Sequence, residues 1–200
     1  MKKQAPDAID FLDADHLAVH AMFETYRQLV RTRAPALQRR ALAEEICMEL
    51  TIHARLEDEL FYPAVREHLR DDDVLDEAEE AHGNQRELVA QILASAADDE
   101  LHDARVALLS DYVERHVCKE REEVFNRVLA SRLDLQSLAR RLPQRKEELR
   151  SVREALREWM RMAMNAGGWP RRRSWSSTAL RPGFFAAART PESASLLVTA

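Results

Sequence analysis

The stretch that decides the fold is residues 53–63, which read His53-Ala-Arg-Leu-Glu57-Asp-Glu-Leu-Phe61-Tyr62-Pro63. It places an imidazole and a carboxylate four residues apart in a segment of helical apolar spacing. Residues four apart lie on one face of an α-helix. That face also carries Ile46, Leu50, Leu60 and Ala64. His53 and Glu57 are therefore predicted to point into the core.

A carboxylate at this place needs a compensating positive charge, because its burial otherwise costs several kcal/mol. No Lys or Arg lies on the stripe that carries Glu57. A metal ion would supply the missing charge.

The same pattern occurs a second time, as His116-Val-Cys-Lys-Glu120-Arg-Glu-Glu-Val-Phe125-Asn126. The matched pairs are His53 with His116, Glu57 with Glu120, Glu59 with Glu122, and Tyr62 with Phe125. A lone histidine precedes each copy at a similar distance: His16 lies 37 residues before His53, and His82 lies 34 residues before His116. The chain therefore carries two half-sites of one kind.

The composition is typical of an all-α protein, since Ala, Leu, Glu and Arg dominate and the 200 residues include only 4 Gly. Apolar periodicity predicts helices over about 7–32, 37–69, 74–96 and 101–133, with Pro63 kinking or ending the second. Helices joined by short connectors pack as an up-down-up-down antiparallel four-helix bundle. That is the expected architecture.

Three segments are expected. Residues 1–133 form the bundle, and residues 134–165 form an accessory helical segment, interrupted at Pro143, that lies against the bundle or a partner. Residues 166–200 accumulate Gly, Pro, Ser and Arg without any period, which is typical of a disordered basic tail.

Charge and cysteine content exclude several classes of protein. The net charge is −5, and acidic and basic residues are interspersed through the first 165 residues, so no specific nucleic-acid partner is expected. Cys47 and Cys118 are too few for a disulfide framework and are interpreted as reduced, buried small side chains. Neither a signal-peptide core nor a run of about 18 apolar residues occurs, so we expect a cytoplasmic protein without a membrane partner.

Six inward side chains are the predicted metal ligands: His16, His53, Glu57, His82, His116 and Glu120. Burying all six without a cation would cost more than the total stability of a typical domain, about 5–15 kcal/mol. Mixed imidazole and carboxylate donors suit iron, manganese or catalytic zinc. Six donors are too many for one ion with an open position, so we expect two ions bridged by Glu57 and Glu120.

Other polar residues allow more than one interpretation. Glu79, three residues before His82, is either an extra donor or an exposed glutamate near the helix start, and the second is slightly preferred. His20 is similarly open, whereas His68 and His102, near helix ends, are expected to be solvated. The three tyrosines are expected to pack in the core or to donate hydrogen bonds to a small molecule at the site: Tyr26, Tyr62 and Tyr112.

Together these residues resemble the hemerythrin-like, HHE cation-binding domain family, over about residues 8–130. The likeness is carried by Asp15-His16, His53-x3-Glu57 with Phe61-Tyr62-Pro63, Glu80-Ala-His82, and His116-Val-Cys-Lys-Glu120 with Phe125. The resemblance implies a non-haem di-iron centre in which the four histidines are terminal ligands and the two glutamates are bridges.

The chain departs from oxygen-carrying members of that family at two positions. Those members have a second histidine one turn after the one on the third helix, where this chain has Arg86. Their last carboxylate is an aspartate five residues after the histidine of the fourth helix, whereas Glu120 lies four after His116. One histidine fewer leaves more open coordination, which argues against simple reversible oxygen carriage.

The first functional hypothesis is a centre with two Fe ions per chain, with Mn as the alternative metal, that binds, senses or reacts with dioxygen, peroxide or nitric oxide. If it is an enzyme, peroxide dismutation is the expected reaction. The alternative is an iron sensor or store that acts through metal-dependent folding and a protein partner at residues 134–165 or the arginine-rich tail. A metal-free helical scaffold is disfavoured by the inward carboxylates.

Overall fold

The computed structural model describes residues 5–69, 73–96 and 99–152, and these are helical, without strands. Helix α1 spans Ala8–Arg31. Helix α2 runs over Ala36–Leu56, continues through a π-helical turn at Glu57–Phe61, and resumes as α-helix over Tyr62–Leu69. Helix α3 spans Asp73–Ala94. Helix α4 runs over His102–Lys119, a π-helical turn at Glu120–Phe125, and Asn126–Leu129. Helix α5 spans Leu135–Ser151. The expected all-helical fold is confirmed.

Helices α1 to α4 enclose one core. Each packs against the next in chain order, and α4 also packs against α1, so that the four close into a ring. Helix α5 lies outside this ring and packs across α1 and α2. Within the described ranges, no helix is long and apolar enough to cross a membrane.

Helix α1 shows how the sequence directs a histidine inward. Its start is fixed by Asp7, whose carboxylate accepts hydrogen bonds from the backbone of Ile9 and Asp10, while Asp10 accepts one from the backbone of Asp7. Its buried residues then recur every three or four positions: Ala8, Leu12, His16, Val19, Phe23 and Tyr26. His16 therefore lies on the apolar stripe, as its spacing predicts.

The π-helical turns begin at the two glutamates of the repeat. At the first, the N–H of Tyr62 donates to the carbonyl of Glu57 five residues back. The next residue, Pro63, has no N–H to donate, and its ring would clash with a carbonyl four residues back in a regular α-helix. The wider turn accommodates the ring. The predicted extent of this helix, to about residue 69, is confirmed, and the disturbance expected at Pro63 takes the form of a wider turn rather than an end of the helix.

Asn126 takes the place of Pro63 in the second copy. Its side-chain amide donates a 3.0 Å hydrogen bond to the carbonyl of Glu122, four residues back. In both copies, two consecutive aromatic or apolar residues of the turn are buried in the core, Phe61 with Tyr62 and Val124 with Phe125.

Helix α5 is one continuous helix. Asp134 caps its start by accepting a 2.9 Å hydrogen bond from the backbone of Ser137. Pro143 does not interrupt it, contrary to expectation, because buried leucines on both sides hold the helix against the bundle: Leu138, Leu142 and Leu149. The predicted continuation to residue 165 and the predicted tail at 166–200 lie outside the described residues.

The two cysteines differ in their environment. Cys47 is buried, as expected. Cys118 is exposed, so the interpretation as a buried side chain was wrong for it. It follows the inward His116 by two positions, and residues two apart point to different faces of a helix.

Candidate metal centre

The structure brings all six predicted donors together inside the ring of helices. The contributing residues are His16 from α1, His53 and Glu57 from α2, His82 from α3, and His116 and Glu120 from α4. None of the six is more than 8% exposed, and Glu57 is fully buried. Side chains from four separate helices thus converge on one interior region.

Glu57 lies between two pairs of histidines. Its Oε1 atom is 3.1 Å from Nε2 of His53 and 3.8 Å from Nε2 of His16. Its Oε2 atom is 3.1 Å from Nε2 of His82 and 4.0 Å from Nε2 of His116. Each pair forms a donor group with Glu57 in which the ligand atoms lie within 4.8 Å of one another. One carboxylate therefore joins two groups of a size suited to a metal ion.

Glu120 lies closer to the first donor group than to the second. Its Oε2 atom is 3.3 Å from Nε2 of His16. Its Oε1 atom accepts a 2.9 Å hydrogen bond from the hydroxyl of Tyr62. The two glutamates are thus placed unequally, although the sequence repeat treats them as equivalent.

Several of these atoms lack a hydrogen-bond partner. Among the described residues nothing hydrogen-bonds to either carboxylate oxygen of Glu57, to Oε2 of Glu120 or to Nε2 of His116. A buried unsatisfied polar atom costs about 1–3 kcal/mol, and more when it is charged. The residues present therefore fit a cation, which would coordinate these atoms.

The two buried carboxylates do not ionise equally without a cation. Burial and the neighbouring charge of Glu57 raise the pKa of Glu120 well above its ordinary value. Burial would also raise the pKa of Glu57, but the positive charges of His53 and His82, each with its Nε2 atom 3.1 Å from a carboxylate oxygen, hold it well below. Two adjacent carboxylates can both ionise only when additional positive charge lies between them.

The four histidines also fall into two pairs, one with lowered and one with raised pKa. Burial lowers the pKa of His16 and His116 to about 3, so both stay neutral and able to coordinate. Burial also opposes protonation of His53 and His82, but nearby carboxylates, chiefly Glu57 for the first and Asp58 for the second, raise their pKa to about 10 and about 9. In the metal-free fold these two protons balance the carboxylates, and a divalent cation would replace them.

Asp58 contacts His82 at the ring nitrogen that faces away from the donor cluster. Its Oδ1 atom is 2.9 Å from Nδ1 of His82, and its Oδ2 atom accepts a 3.0 Å hydrogen bond from Arg86. A carboxylate on Nδ1 holds the proton there and turns Nε2 toward the donor cluster. Arg86 thus holds this carboxylate in place.

Two further aspartates face histidines in a similar way. Asp15 lies 3.6 Å from Nδ1 of His53 and forms an ion pair with Lys146 of α5. Asp13 lies 3.7 Å from Nδ1 of His16 and forms an ion pair with Arg121 of α4. Both distances exceed a hydrogen bond, so these carboxylates act as nearby charges. The roles of the three aspartates could not be predicted from sequence, because nothing in their spacing shows which histidine they face.

Aromatic rings cover the donor cluster. Phe125 stacks on His16 at 6.2 Å between ring centroids, and Tyr62 stacks on His82 at 5.6 Å. Phe61 packs against both Phe125 and Tyr62. Tyr62 and Phe125, which are matched in the repeat, thus each cover the histidine that precedes the other copy, and they keep water from this side of the site.

The remaining candidate residues lie elsewhere. His20 is exposed near Glu24 and Glu114. Glu79 is largely buried, with 12% of its side chain exposed, and forms an ion pair with Arg66, so the preferred interpretation of it as an exposed glutamate was wrong. Neither belongs to the two donor groups found among the described residues.

The tyrosines and the other histidines have different surroundings. Tyr26 donates a 2.7 Å hydrogen bond to Asp103, away from the site, and Tyr112 lies under the guanidinium of Arg115. His68 is exposed as expected. His102 is buried beside Ser95, which corrects the expectation that it is solvated.

Comparisons with known proteins give the family and a similar fold. The family model described as "Hemerythrin HHE cation binding domain" matches residues 7–128. The fold is similar to the crystal structure of a hemerythrin HHE cation binding domain-containing protein from Mycobacterium kansasii, at 20% sequence identity and a TM-score of 0.60, over 74% of this chain and 89% of that one. A comparison with curated proteins found no significant match. Because the family match covers more than half of the sequence, the chain belongs to the hemerythrin HHE cation binding domain family.

Proposed function

We propose that the chain holds a non-haem di-iron centre that binds, senses or reacts with dioxygen, peroxide or nitric oxide. The observation that carries the proposal is the position of Glu57, whose two carboxylate oxygens each face a separate pair of histidine Nε2 atoms. A carboxylate so placed bridges two cations economically. Family membership supports the binding of a cation.

In this proposal, His16, His53, His82 and His116 are terminal ligands, and Glu57 and Glu120 are bridges. The donor types favour iron, with manganese as the alternative. We also take α1 to α4 to run alternately up and down as an antiparallel bundle, since short connectors join helices that pack together.

When bound, two iron ions would supply redox equivalents and Lewis acidity for a small oxygen- or nitrogen-containing ligand. The protein's own residues prepare the site for this role. Asp58 holds a proton on Nδ1 of His82, so that Nε2 is left to coordinate. Tyr62 donates to Glu120 and keeps one carboxylate oxygen oriented.

The aromatic residues contribute by excluding water. Phe125 and Tyr62 stack on histidines of the cluster, and Phe61 closes the space between them. On the side of the site that these rings cover, charges attract more strongly because water is excluded there.

Metal content and reactivity test the proposal. Purified protein is loaded with iron(II) under nitrogen, desalted, and its metal counted by mass spectrometry. We expect two iron ions per chain, a change in the visible spectrum on exposure to nitric oxide, and oxygen evolution on adding peroxide if two peroxide molecules are converted to two of water and one of dioxygen. One ion per chain would exclude the bridged pair. Two ions without reaction would favour an iron sensor or store.

A further inference from the structure

A cavity of about 220 Å³ lies between α3 and α4 and reaches from the surface to the donor cluster. Its lining includes the exposed side chains of Glu77 and Lys119 at one end and the buried His116 and Glu120 at the other. A water molecule occupies about 30 Å³, so the cavity has room for a ligand of a few atoms. It is smaller than the pockets of about 300–1,000 Å³ that hold larger organic ligands.

The two donor groups are unequal where the cavity meets them. Oε2 of Glu120 lies beside the group of His16 and His53, whereas its Oε1 is engaged by Tyr62. A bridge from Glu120 would therefore reach the group of Glu57 Oε2, His82 and His116 only through Oε1, which already accepts a hydrogen bond from Tyr62, so this group is the less fully supplied with protein donors. It is also the group whose His116 lines the cavity, with a buried Nε2 that has no partner among the described residues.

We propose that this cavity is the entry route and binding pocket for a small exogenous ligand, which binds at the position framed by Glu57 Oε2, His82 and His116. This inference rests on the proposed function, and it specifies which of the two positions is open.

The lining indicates the class of ligand. Away from the rim the lining is small and apolar, formed by the buried Ala78 and Val124 and the partly buried Ala81. Glu77 and Lys119 form an ion pair across the outer end, so the rim selects neither sign of charge. Apolar walls favour uncharged molecules, because a charged one would lose its hydration there. The ligand class is therefore uncharged and two to four atoms in size, such as dioxygen, nitric oxide or hydrogen peroxide.

The test narrows the cavity at Ala81. The variant Ala81→Phe fills it, Ala81→Leu is a milder change in case the larger residue disturbs folding, and Ala94→Phe makes the same substitution at the exposed end of α3. Each protein is loaded with iron(II), its metal is counted, and the association rate of nitric oxide is measured by stopped-flow absorbance. We expect association to slow about tenfold in Ala81→Phe and by less in Ala81→Leu, with no change in Ala94→Phe.

A second measurement does not need the metal. Crystals of the iron-free protein under xenon pressure should show a xenon atom in the cavity of the parent and of Ala94→Phe, and none in Ala81→Phe. Iron-loaded Ala81→Phe that binds nitric oxide at the parent rate would overturn the entry route alone. A parent protein that takes up no iron would overturn the proposed function and this inference with it.

Helix α5, which lies outside the residues 7–128 that match the family, also contacts the surroundings of the donor cluster. Its Lys146 forms an ion pair with Asp15, and the other oxygen of Asp15 faces Nδ1 of His53. The lysine and the aspartate are both largely buried, with 14% and 13% of their side chains exposed. We propose that Lys146 is a positioning residue of the metal centre, which fixes Asp15 behind His53.

Two lysine variants and one control test this role. Lys146→Met removes the charge, Lys146→Arg keeps it, and Arg150→Met removes a different ion pair of α5, that with Glu49. Iron(II) affinity is measured by competition with a coloured chelator, and helix content by circular dichroism. We expect Lys146→Met to bind iron about tenfold more weakly, with Lys146→Arg and Arg150→Met near the parent. Equal affinity in Lys146→Met and Arg150→Met would overturn the role.

Discussion

The hydroxyl of Tyr62 on α2 donates a 2.9 Å hydrogen bond to Oε1 of Glu120 on α4, inside the buried donor cluster. The residue matched to Tyr62 in the second copy of the repeat is Phe125, which has no hydroxyl. The two half-sites therefore differ in chemistry: one glutamate is held by a phenol, and the other has both oxygens facing histidines.

The loss of stability on replacing Tyr62 should depend on whether metal is bound. In Tyr62→Phe, Oε1 of Glu120 stays buried without its donor, so the metal-free protein should lose about 1–3 kcal/mol in its free energy of unfolding. With iron bound, the cation compensates in part for the missing hydrogen-bond donor to Glu120. The loss in the free energy of unfolding should then be smaller. Guanidinium denaturation under nitrogen, with and without iron(II), measures both values.

Tyr26→Phe is the matched control for this experiment. Its hydroxyl also donates to a carboxylate, that of Asp103, but at a distance from the donor cluster. It should lose the same free energy with and without iron. If the loss in Tyr62→Phe is equally independent of iron, Glu120 does not contact the metal.

The bridging role of Glu57 predicts a loss of both ions in Glu57→Gln. The amide keeps the shape of the side chain, but it has one oxygen and no charge, so it cannot serve both histidine pairs. Iron per chain, counted after desalting, should fall from two to near zero. Glu79→Gln makes the same exchange in an ion pair with Arg66, outside the donor groups, and should keep its iron. Full occupancy in the Glu57 variant would contradict the bridge.

Much of this site could be predicted from sequence because its donors follow helical periodicity. His53 with Glu57, and His116 with Glu120, lie four residues apart on apolar stripes, which directs each pair to the core. The repeat then places the pairs in equivalent positions on two helices. All-helical structure follows from the same periodicity.

The roles of the residues around the donor cluster depend on contacts between segments far apart in the chain. Helical periodicity does not show such contacts. Asp58 follows Glu57 directly, yet it serves His82 on another helix. Lys146 reaches Asp15 only because α5 packs across α1 and α2. The π-helical turns were missed as well, since Pro63 indicates a disturbed helix but does not show whether the helix ends or widens.

Because the carboxylate of Asp58 contacts His82, we expect Asp58→Asn to lose affinity for iron(II). The amide oxygen remains, but the negative charge that orients the imidazole and makes it a better ligand is removed. Affinity for iron(II), measured by chelator competition, should fall about 10–100-fold. Asp76→Asn, an exposed aspartate paired with Arg66, should leave the affinity unchanged. Equal affinities in the two variants would show that Asp58 has no part in metal binding.

Because His102 is buried, we expect it to make the stability of the fold depend on pH, whether or not metal is bound. Burial lowers its pKa below the ordinary value of about 6.5, and its Nδ1 atom lies 2.7 Å from Oγ of Ser95. As the pH falls through about 6.5, the unfolded chain therefore takes up a proton at this residue before the folded protein does. The stability gained from a neutral His102 is complete above that pH and is lost progressively below it.

His102→Gln should remove this contribution, so its unfolding free energy should fall less between pH 7.5 and pH 5.5 than that of the parent. Urea denaturation in the presence of a chelator measures the difference without interference from bound metal. His68→Gln makes the same substitution at an exposed histidine and is the matched control. The remaining ionisable groups are the same in the parent and in His102→Gln, so their contribution cancels in that comparison. An equal fall in the parent and His102→Gln would mean that His102 is as readily protonated in the fold as in the unfolded chain.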